Sequence, residues 1–304
     1  MMHEEFHKGI NEIVDSLRVS ADEKDLYAAH YTSVITPRLL LDGDGTNNRL
    51  RQYAADYMND PEEGRFVFDI MIEAASKSKH PLGGVLVEYL SEIRKNRLLY
   101  SAINSATFLS CWTKTYIKEG EESGCDSLNH WRFYGQDGAG ACIIVPIKQL
   151  RENFGDQLFA VQYGKSLRGG GSGAQNRPII KIRKLLEKRF SNLRKTEANL
   201  IKDLDELIKS VMPLLFLFKS ESYSSEQEVR TIMQTANYGS QSDVIFDDRD
   251  PRRAYVNGGD GLLSNGGIVL FGPKSDTAYA VELLGLISKT QRDIKVFMSE
   301  IKYR

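Results

Sequence analysis

Between Asn129 and Pro146 the chain reads NHWRFYGQDGAGACIIVP: large aromatic residues, then Gly135, Gly138 and Gly140, then an apolar run. Glycines so spaced remove side chains where a backbone turns tightly or admits a close neighbour. Ala141 to Val145 is short, apolar and rich in β-branched residues, as a core strand requires. Aromatic rings therefore precede a glycine turn that feeds a sheet. On composition alone this is a hairpin-like corner with Trp131 and Tyr134 plugging the core.

The remaining chain has to build a frame around that corner. Its 304 residues, 41% hydrophobic and 27% charged, suffice for a large core in one large domain or two small ones. A formal net charge of -1 argues against a protein built throughout to neutralise polyphosphate, while leaving room for a local basic face. Cys111, Cys125 and Cys142 show no short paired spacing, which points to reduced thiols in a cytosolic protein rather than to disulfides or a zinc knuckle. No apolar run approaches the length of a membrane span, and the acidic N-terminus is unlike a signal peptide, so the expectation is a cytoplasmic, unanchored protein.

Phe6, Ile10, Ile13, Val14 and Leu17 recur at helical spacing, predicting an N-terminal amphipathic helix within residues 1–25. Leu26 to Ser33 reads as a strand with a polar end, followed by a helix carrying Leu39, Leu40 and Leu41. Asn59-Asp60-Pro61 is a helix-start signal, with Asp60 as cap, Pro61 at the first helical position and Glu62 and Glu63 in the first turn. A further helix is predicted over Leu82 to Leu99, and strands over Thr107 to Trp112 and Leu158 to Tyr163.

The following Gly-rich segment lacks P-loop spacing despite its Gly-Lys-Ser. Ile179 to Leu215 carries a long helical stripe, and Lys181, Arg183, Lys184, Lys188, Arg189, Arg194 and Lys195 make its first half basic: a solvated face, or a docking face for an anionic partner. Residues 165–218 thus read as an insertion of loop and long basic helix. In a strand, Glu226, Glu228 and Arg230 would share one face. The plain expectation there is a surface ladder in which Arg230 pairs with Glu228. Asn237 to Gly267 is polar and Gly-rich, and the chain closes as β-α-β: Ile268 to Gly272, Thr277 to Ile287, and Ile294 to Ser299.

In order, HYTS (His30 to Ser33), YMNDPEEG (Tyr57 to Gly64), FLSCW (Phe108 to Trp112), LNHWRFYGQDGAG (Leu128 to Gly140), the strand ending in Tyr163, EQEVR (Glu226 to Arg230) and FGPK (Phe271 to Lys274) resemble a bacterial family, the domain of unknown function 2971 family. That pattern is similar to the H-Y-E group of ADP-ribosyltransferase-like folds. The resemblance implies one α+β domain over residues 1–304, with a split, mixed β core, an N-terminal helix and helical insertions. It further implies NAD as substrate: His30 holding the nicotinamide amide or the adenine ribose, Tyr134 stacking on nicotinamide, Glu228 at the nicotinamide ribose and Glu226 placing the acceptor. Tyr31, Thr32, Trp131 and Arg230 belong to the same expected cofactor site, and Trp131, Phe133 or Tyr31 could supply the stacking ring instead.

The chemistry asks for these residue types independently. Breaking the glycosidic bond of NAD leaves positive charge on the ribose carbon, which a nearby carboxylate stabilises. An aromatic face supports a cationic ring by roughly 0.5 to 2 kcal/mol, and an imidazole both donates and accepts hydrogen bonds. The reading is thus an NAD-dependent ADP-ribosyltransferase, a toxin or phage-defence effector, whose partners are a protein or nucleic-acid acceptor and an inhibitory protein. Its rival is a catalytically silent module of the same fold that senses a nucleotide or RNA. A metal-dependent hydrolase using Asp42, Asp44, Asp247, Asp248 and Asp250 is disfavoured by the turn-rich context and the lack of a nearby His, and no metal site is expected.

Overall fold

The computed structural model describes residues 2–20, 25–42, 49–55, 58, 62–96, 106–117, 126–164, 177–194, 196–235, 244–247, 253–263 and 266–303. Its frame is a mostly antiparallel open sheet. In chain order the strands are β1 (Leu26–Thr32), β2 (Arg49–Ala54), β3 (Ala106–Tyr116), β4 (Ala141–Pro146), β5 (Leu158–Ala160), β6 (Gln162–Gly164), β7 (Phe218–Ser220), β8 (Glu228–Thr235), β9 (Ile245–Phe246), β10 (Ala254–Asp260), β11 (Gly267–Phe271) and β12 (Ile294–Met298). Across the sheet they run β12-β11-β4-β1-β3-β2-β10-β9; β8 pairs with β3 and β5, and β6 and β7 form a separate pair.

Helices cover both faces: α1 (Met2–Ser16), α2 (Thr36–Asp42), α3 (Arg65–Lys77), α4 (Gly83–Lys95), α5 (Leu128–Tyr134), α6 (Ile147–Phe154), α7 (Arg177–Ser191), α8 (Glu197–Val211) and α9 (Thr277–Thr290). Because successive strand residues face opposite ways, β4 splits cleanly. Ala141, Ile143 and Val145 join α2, α6 and α9 in one apolar cluster, whereas Cys142 and Ile144 pack on the other side with Trp131 and Tyr31. The largest cluster buries α1, α3, α4, α7 and α8 against Leu109 and Ile232 of the sheet. Among the described residues no helix is long and apolar enough to cross a membrane.

The N-terminal helix, β1 and the closing unit follow the sequence pattern: β11 and β12 are parallel and joined by α9, whose Asp276 cap accepts from the Ala278 N–H at 2.9 Å. Other expectations need correction. The stripe from Ile179 to Leu215 is two helices rather than one. Between them Arg194 turns back to bind Asp203 of α8 through its own N–H (3.1 Å) and its Nε (2.9 Å), so both apolar stripes reach α1 and α3 instead of running past the core. The basic face is largely spent within the fold, Lys181 pairing with Glu12, Lys188 with Glu5 and Arg183 with Glu73.

Asn129 to Tyr134 lies within α5 and is not part of a hairpin corner. The helix expected from Pro61 begins at Arg65, after Gly64 in a left-handed conformation, so Glu62 and Glu63 precede it. β2 and β10 are strands the pattern did not reveal. The turn at Asn59 to Pro61, the Gly-rich segment 165–176, Cys125, Lys195, and Asp44, Asp248 and Asp250 of the acidic clusters lie outside the described residues.

The glycine turn after α5 is built on contacts that tolerate no side chain. A Cβ on Gly140 would lie 2.3 Å from the Thr32 carbonyl oxygen, where the turn crosses the end of β1. Gly138 has a φ of +86°, and Lys274 donates its N–H to the Gly138 carbonyl at 2.8 Å. Gly140→Ala is therefore expected to lower stability by about 1–3 kcal/mol in chemical denaturation. Gly84→Ala, in the first turn of α4 with nothing within 4 Å, should leave stability unchanged or raise it by up to about 1 kcal/mol.

Candidate functional site: a cavity at a fork in the sheet

One edge of β3 is shared by two strands. β1 pairs along it from Leu26↔Tyr116 to Ala29↔Thr113, and β2 pairs at Tyr53↔Leu109 and Ala54↔Phe108. Ser110, Cys111 and Trp112 lie between, where the two partners diverge. Lys114 donates its N–H to Gln227 at the β8 edge and Ile117 donates to Asp25 at the β1 edge. The alternation of antiparallel hydrogen bonding therefore turns Cys111 towards the fork. His30, one residue beyond the last β1–β3 pair, fills that place: its Nδ1 donates to the Cys111 carbonyl at 2.8 Å.

A cavity of about 410 Å³ opens at this fork. Its walls include His30 and Tyr31 from β1, Arg51 and Tyr53 from β2, Ser110 to Thr113 from β3, His130, Phe133 and Tyr134 from α5, and Glu63, Lys219, Tyr223, Glu226 and Glu228. The volume lies within the range of small-molecule sites.

At one end is a buried ionic network centred on Arg230, whose side chain is wholly inaccessible. Its Nη1 donates to Glu63 Oε1 at 2.6 Å and to the Phe216 carbonyl at 2.7 Å. Its Nη2 donates to Glu63 Oε2 and to Glu228 Oε2, both at 2.9 Å, and its Nε donates to Glu228 Oε1 at 2.7 Å. All five guanidinium N–H groups are used. Lys219 Nζ lies 3.0 Å from Glu228 Oε2, 3.0 Å from Glu226 Oε2 and 3.7 Å from Glu63 Oε2.

Two cations thus face three carboxylates. Burial works against the Glu228 carboxylate, but Arg230 and Lys219 outweigh it and lower its pKa from 4.5 to about 2. Burial and Arg230 disfavour the Lys219 ammonium, and Glu228 and Glu63 override both, so it stays charged.

Glu226 and Glu228 do not alternate along one strand. Glu226 ends a 3-10 turn, Glu221–Glu226, and Gln227 is left-handed at φ 42° before β8 begins. That residue is what turns both carboxylates onto Lys219. Glu226 is the less committed of the two: its Oε1 accepts from the Tyr134 hydroxyl at 2.6 Å and its Oε2 from Lys219. A carboxylate offers about four acceptor positions, and these contacts occupy two of them.

Burial pushes the His30 imidazole below its ordinary 6.5 against the hydrogen bond to Cys111, so at neutral pH the ring is uncharged. With the proton on Nδ1, its Nε2 is a hydrogen-bond acceptor. His30 also lies 5.0 Å from the Trp112 ring, and Trp112 Nε1 donates to Ser110 Oγ at 2.9 Å. On α5, His130 stacks on Tyr31 with ring centres 5.1 Å apart, and Tyr31 meets Trp131 edge-on at 4.8 Å. Burial raises the Tyr134 pKa, and its hydrogen bond to Glu226 raises it further, keeping the phenol protonated. Cys111 is a free thiol that burial, followed by Glu228, likewise holds protonated.

Of the residues expected from the sequence, His30, Tyr31, Tyr134, Glu226 and Glu228 line one cavity. The other three lie outside its lining. Trp131 is fully buried beneath Tyr31, its Nε1 donating to Asp126 at 2.6 Å, so among the candidate rings it is the one removed from the cavity. Arg230 lies behind Glu228, and its pairing is a buried network rather than a surface ladder. Thr32 bonds Thr36 of α2 at 3.1 Å. Glu63, Lys219, Arg51 and Tyr223 also line the cavity, although no sequence motif marks them as site residues; Glu63 has an adequate local explanation as a helix-start acid. Among the described residues no group of three or more His, Cys, Asp or Glu is arranged to hold a metal ion. Asp247 lies 3.8 Å from Arg51.

Residues 130–231 match the model of a family described as a protein of unknown function (DUF2971). The matched segment contains Tyr134, Lys219, Glu226, Glu228 and Arg230, while His30 and Glu63 lie before it. No curated protein and no solved structure matches the chain.

The lowered pKa of Glu228 has a definite acid signature. A depressed carboxyl contributes stability that is complete above its unfolded value, near 4.5, and is lost as the pH falls towards about 2. The difference is on the order of 3 kcal/mol. Between those pH values the unfolding temperature of the wild type should fall more steeply than that of Glu228→Gln, which is itself destabilised at neutral pH. Parallel curves would remove Glu228 from the acid response.

Proposed function

We propose that the protein is an NAD-dependent ADP-ribosyltransferase that acts in the cytoplasm as a toxin or phage-defence effector. What supports this reading is the convergence of His30, Tyr31, Tyr134, Glu226 and Glu228, drawn from distant parts of the chain, on one cavity. In this reading the ADP-ribosyltransferase-like split sheet corresponds to the fork between β1 and β2.

The positively charged nicotinamide enters the carboxylate end, against Tyr134 or a neighbouring ring. Cation–π contact contributes roughly 0.5 to 2 kcal/mol there. His30 Nε2 accepts a hydrogen bond from the carboxamide or from a ribose hydroxyl. Glu228, ionised throughout the physiological range, stabilises positive charge as the ribose C1′–nitrogen bond breaks, its electron pair passing to the nicotinamide nitrogen. A nucleophile of the acceptor, protein or nucleic acid, bonds to C1′ and releases its proton to Glu226. The products are nicotinamide and the ADP-ribosylated acceptor. An inhibitory partner protein belongs to the same proposal.

One observation favours the second reading, a catalytically silent nucleotide-sensing module: Arg230 and Lys219 already compensate much of the Glu228 charge. Incubation with labelled NAD and cell extract separates the two. The transferase releases nicotinamide and labels a macromolecule, and Glu226→Gln lowers transfer about 100-fold with NAD binding and unfolding temperature close to wild type. Glu226→Gln is the cleaner variant, because Glu228→Gln also disturbs the buried network. Binding of NAD without nicotinamide release would establish the silent module, and undiminished transfer by Glu226→Gln would remove that residue from the reaction.

A further inference from the structure

We infer that Arg51 forms an anion subsite at the opposite limb of the fork and binds the diphosphate of the dinucleotide. The inference rests on the NAD reading for the identity of the ligand and on Arg51's own surroundings for the site. Arg51 lines the cavity from β2, two residues beyond the last β2–β3 pair at Tyr53, so it projects where the sheet has parted. The guanidinium is held but not consumed. It lies over the Tyr255 ring at 4.3 Å, and its one ion pair among the described residues, to Asp247 at 3.8 Å, is too long for a hydrogen bond. Among the described residues its side chain makes no hydrogen bond, and it is 43% exposed.

The other cations of the cavity are committed. Lys219 meets three carboxylates, and Arg230 behind them has no donor left. A phosphate approaching that end meets two cations already facing three carboxylates, which is unfavourable. Arg51 offers a planar fork of donors suited to two phosphate oxygens, already positioned by an aromatic face. The cavity is therefore supplied from two sides of β3: carboxylates from the β8 side for a cationic ring, and an uncommitted guanidinium from the β2 side for an anion. This fixes the direction in which a dinucleotide lies and predicts discrimination against ligands lacking phosphate.

The test is calorimetric binding of NAD, ADP and nicotinamide riboside to wild type, Arg51→Gln and Arg51→Lys, with unfolding temperatures as a check on folding. Expected is a weakening of NAD and ADP by tenfold or more in Arg51→Gln. Arg51→Lys should recover part of the loss, and nicotinamide riboside should bind wild type and both variants alike. If wild type binds NAD and Arg51→Gln binds it equally well, the subsite is overturned and the NAD reading stands. An equal loss for the phosphate-free riboside also overturns the subsite. If wild type binds ADP through Arg51 but does not bind NAD, the subsite stands and the NAD reading falls. Binding of neither ADP nor NAD overturns both.

Discussion

A guanidinium with no access to water and all five N–H groups satisfied underlies the cavity wall. Arg230 ties its own strand to Glu63 ahead of α3 and to the Phe216 carbonyl ahead of β7, as well as to Glu228. A buried charge left without partners is strongly unfavourable, whereas a fully paired one is worth little more than a well-packed apolar group of the same shape. Such a network therefore contributes less to net stability than to position. It admits only arrangements in which the helical layer, through Glu63, and the sheet, through β8, meet at one registration. Lys219 extends that constraint to Glu226, and through Glu226 to Tyr134 on α5. One chain of hydrogen bonds thus runs from the turn before α3 to the aromatic wall of the cavity.

The same network divides labour between two acids only two residues apart. Glu228 is ionised under all ordinary conditions because two cations hold it so, and its side chain is almost inaccessible. Glu226 makes one contact to a cation and one to a phenol, keeps acceptor positions unspent, and is somewhat more open. A ligand entering the cavity can exchange contacts with Glu226 without breaking the Arg230 cluster. It cannot do so with Glu228. A mobile hydrogen-bonding role therefore fits the first acid, and a fixed electrostatic role the second.

Much of this geometry was legible in the residues, because its parts obey local rules. β1 with its polar end, the apolar β4 and the glycine turn before it declare themselves through periodicity and through positions where only glycine fits. His30, Tyr31 and Tyr134 were marked as presented side chains by the family resemblance and not by these local rules, under which Tyr134 reads as a core plug although it lines the cavity. Glu63 was not legible: an acid just before a helix has a sufficient explanation in the helix dipole, and only the fold reveals that its partner lies at Arg230. β2 was hidden by Gln52, a polar residue facing inward in an otherwise alternating segment. The joint facing of Glu226 and Glu228 was foreseen on the premise of a continuous strand, yet it arises from a left-handed residue between them. The break between α7 and α8 was equally obscure, because the apolar stripe continues across it and the turn is made by Arg194 reaching for Asp203.

The fork and the chemistry of His30 have a common origin. A strand edge that loses its neighbour exposes carbonyls that need a donor, and at Cys111 the donor is an imidazole one residue past the end of pairing. That hydrogen bond fixes the proton on Nδ1, and burial keeps the ring neutral, so the lone pair remains on Nε2. Closing the fork by extending β1 along β3 would satisfy Cys111 from the backbone. The imidazole would then lose the interaction that fixes its tautomer. The acceptor atom of the cavity exists because the sheet divides there, and the division is tolerated because the imidazole repairs the strand edge.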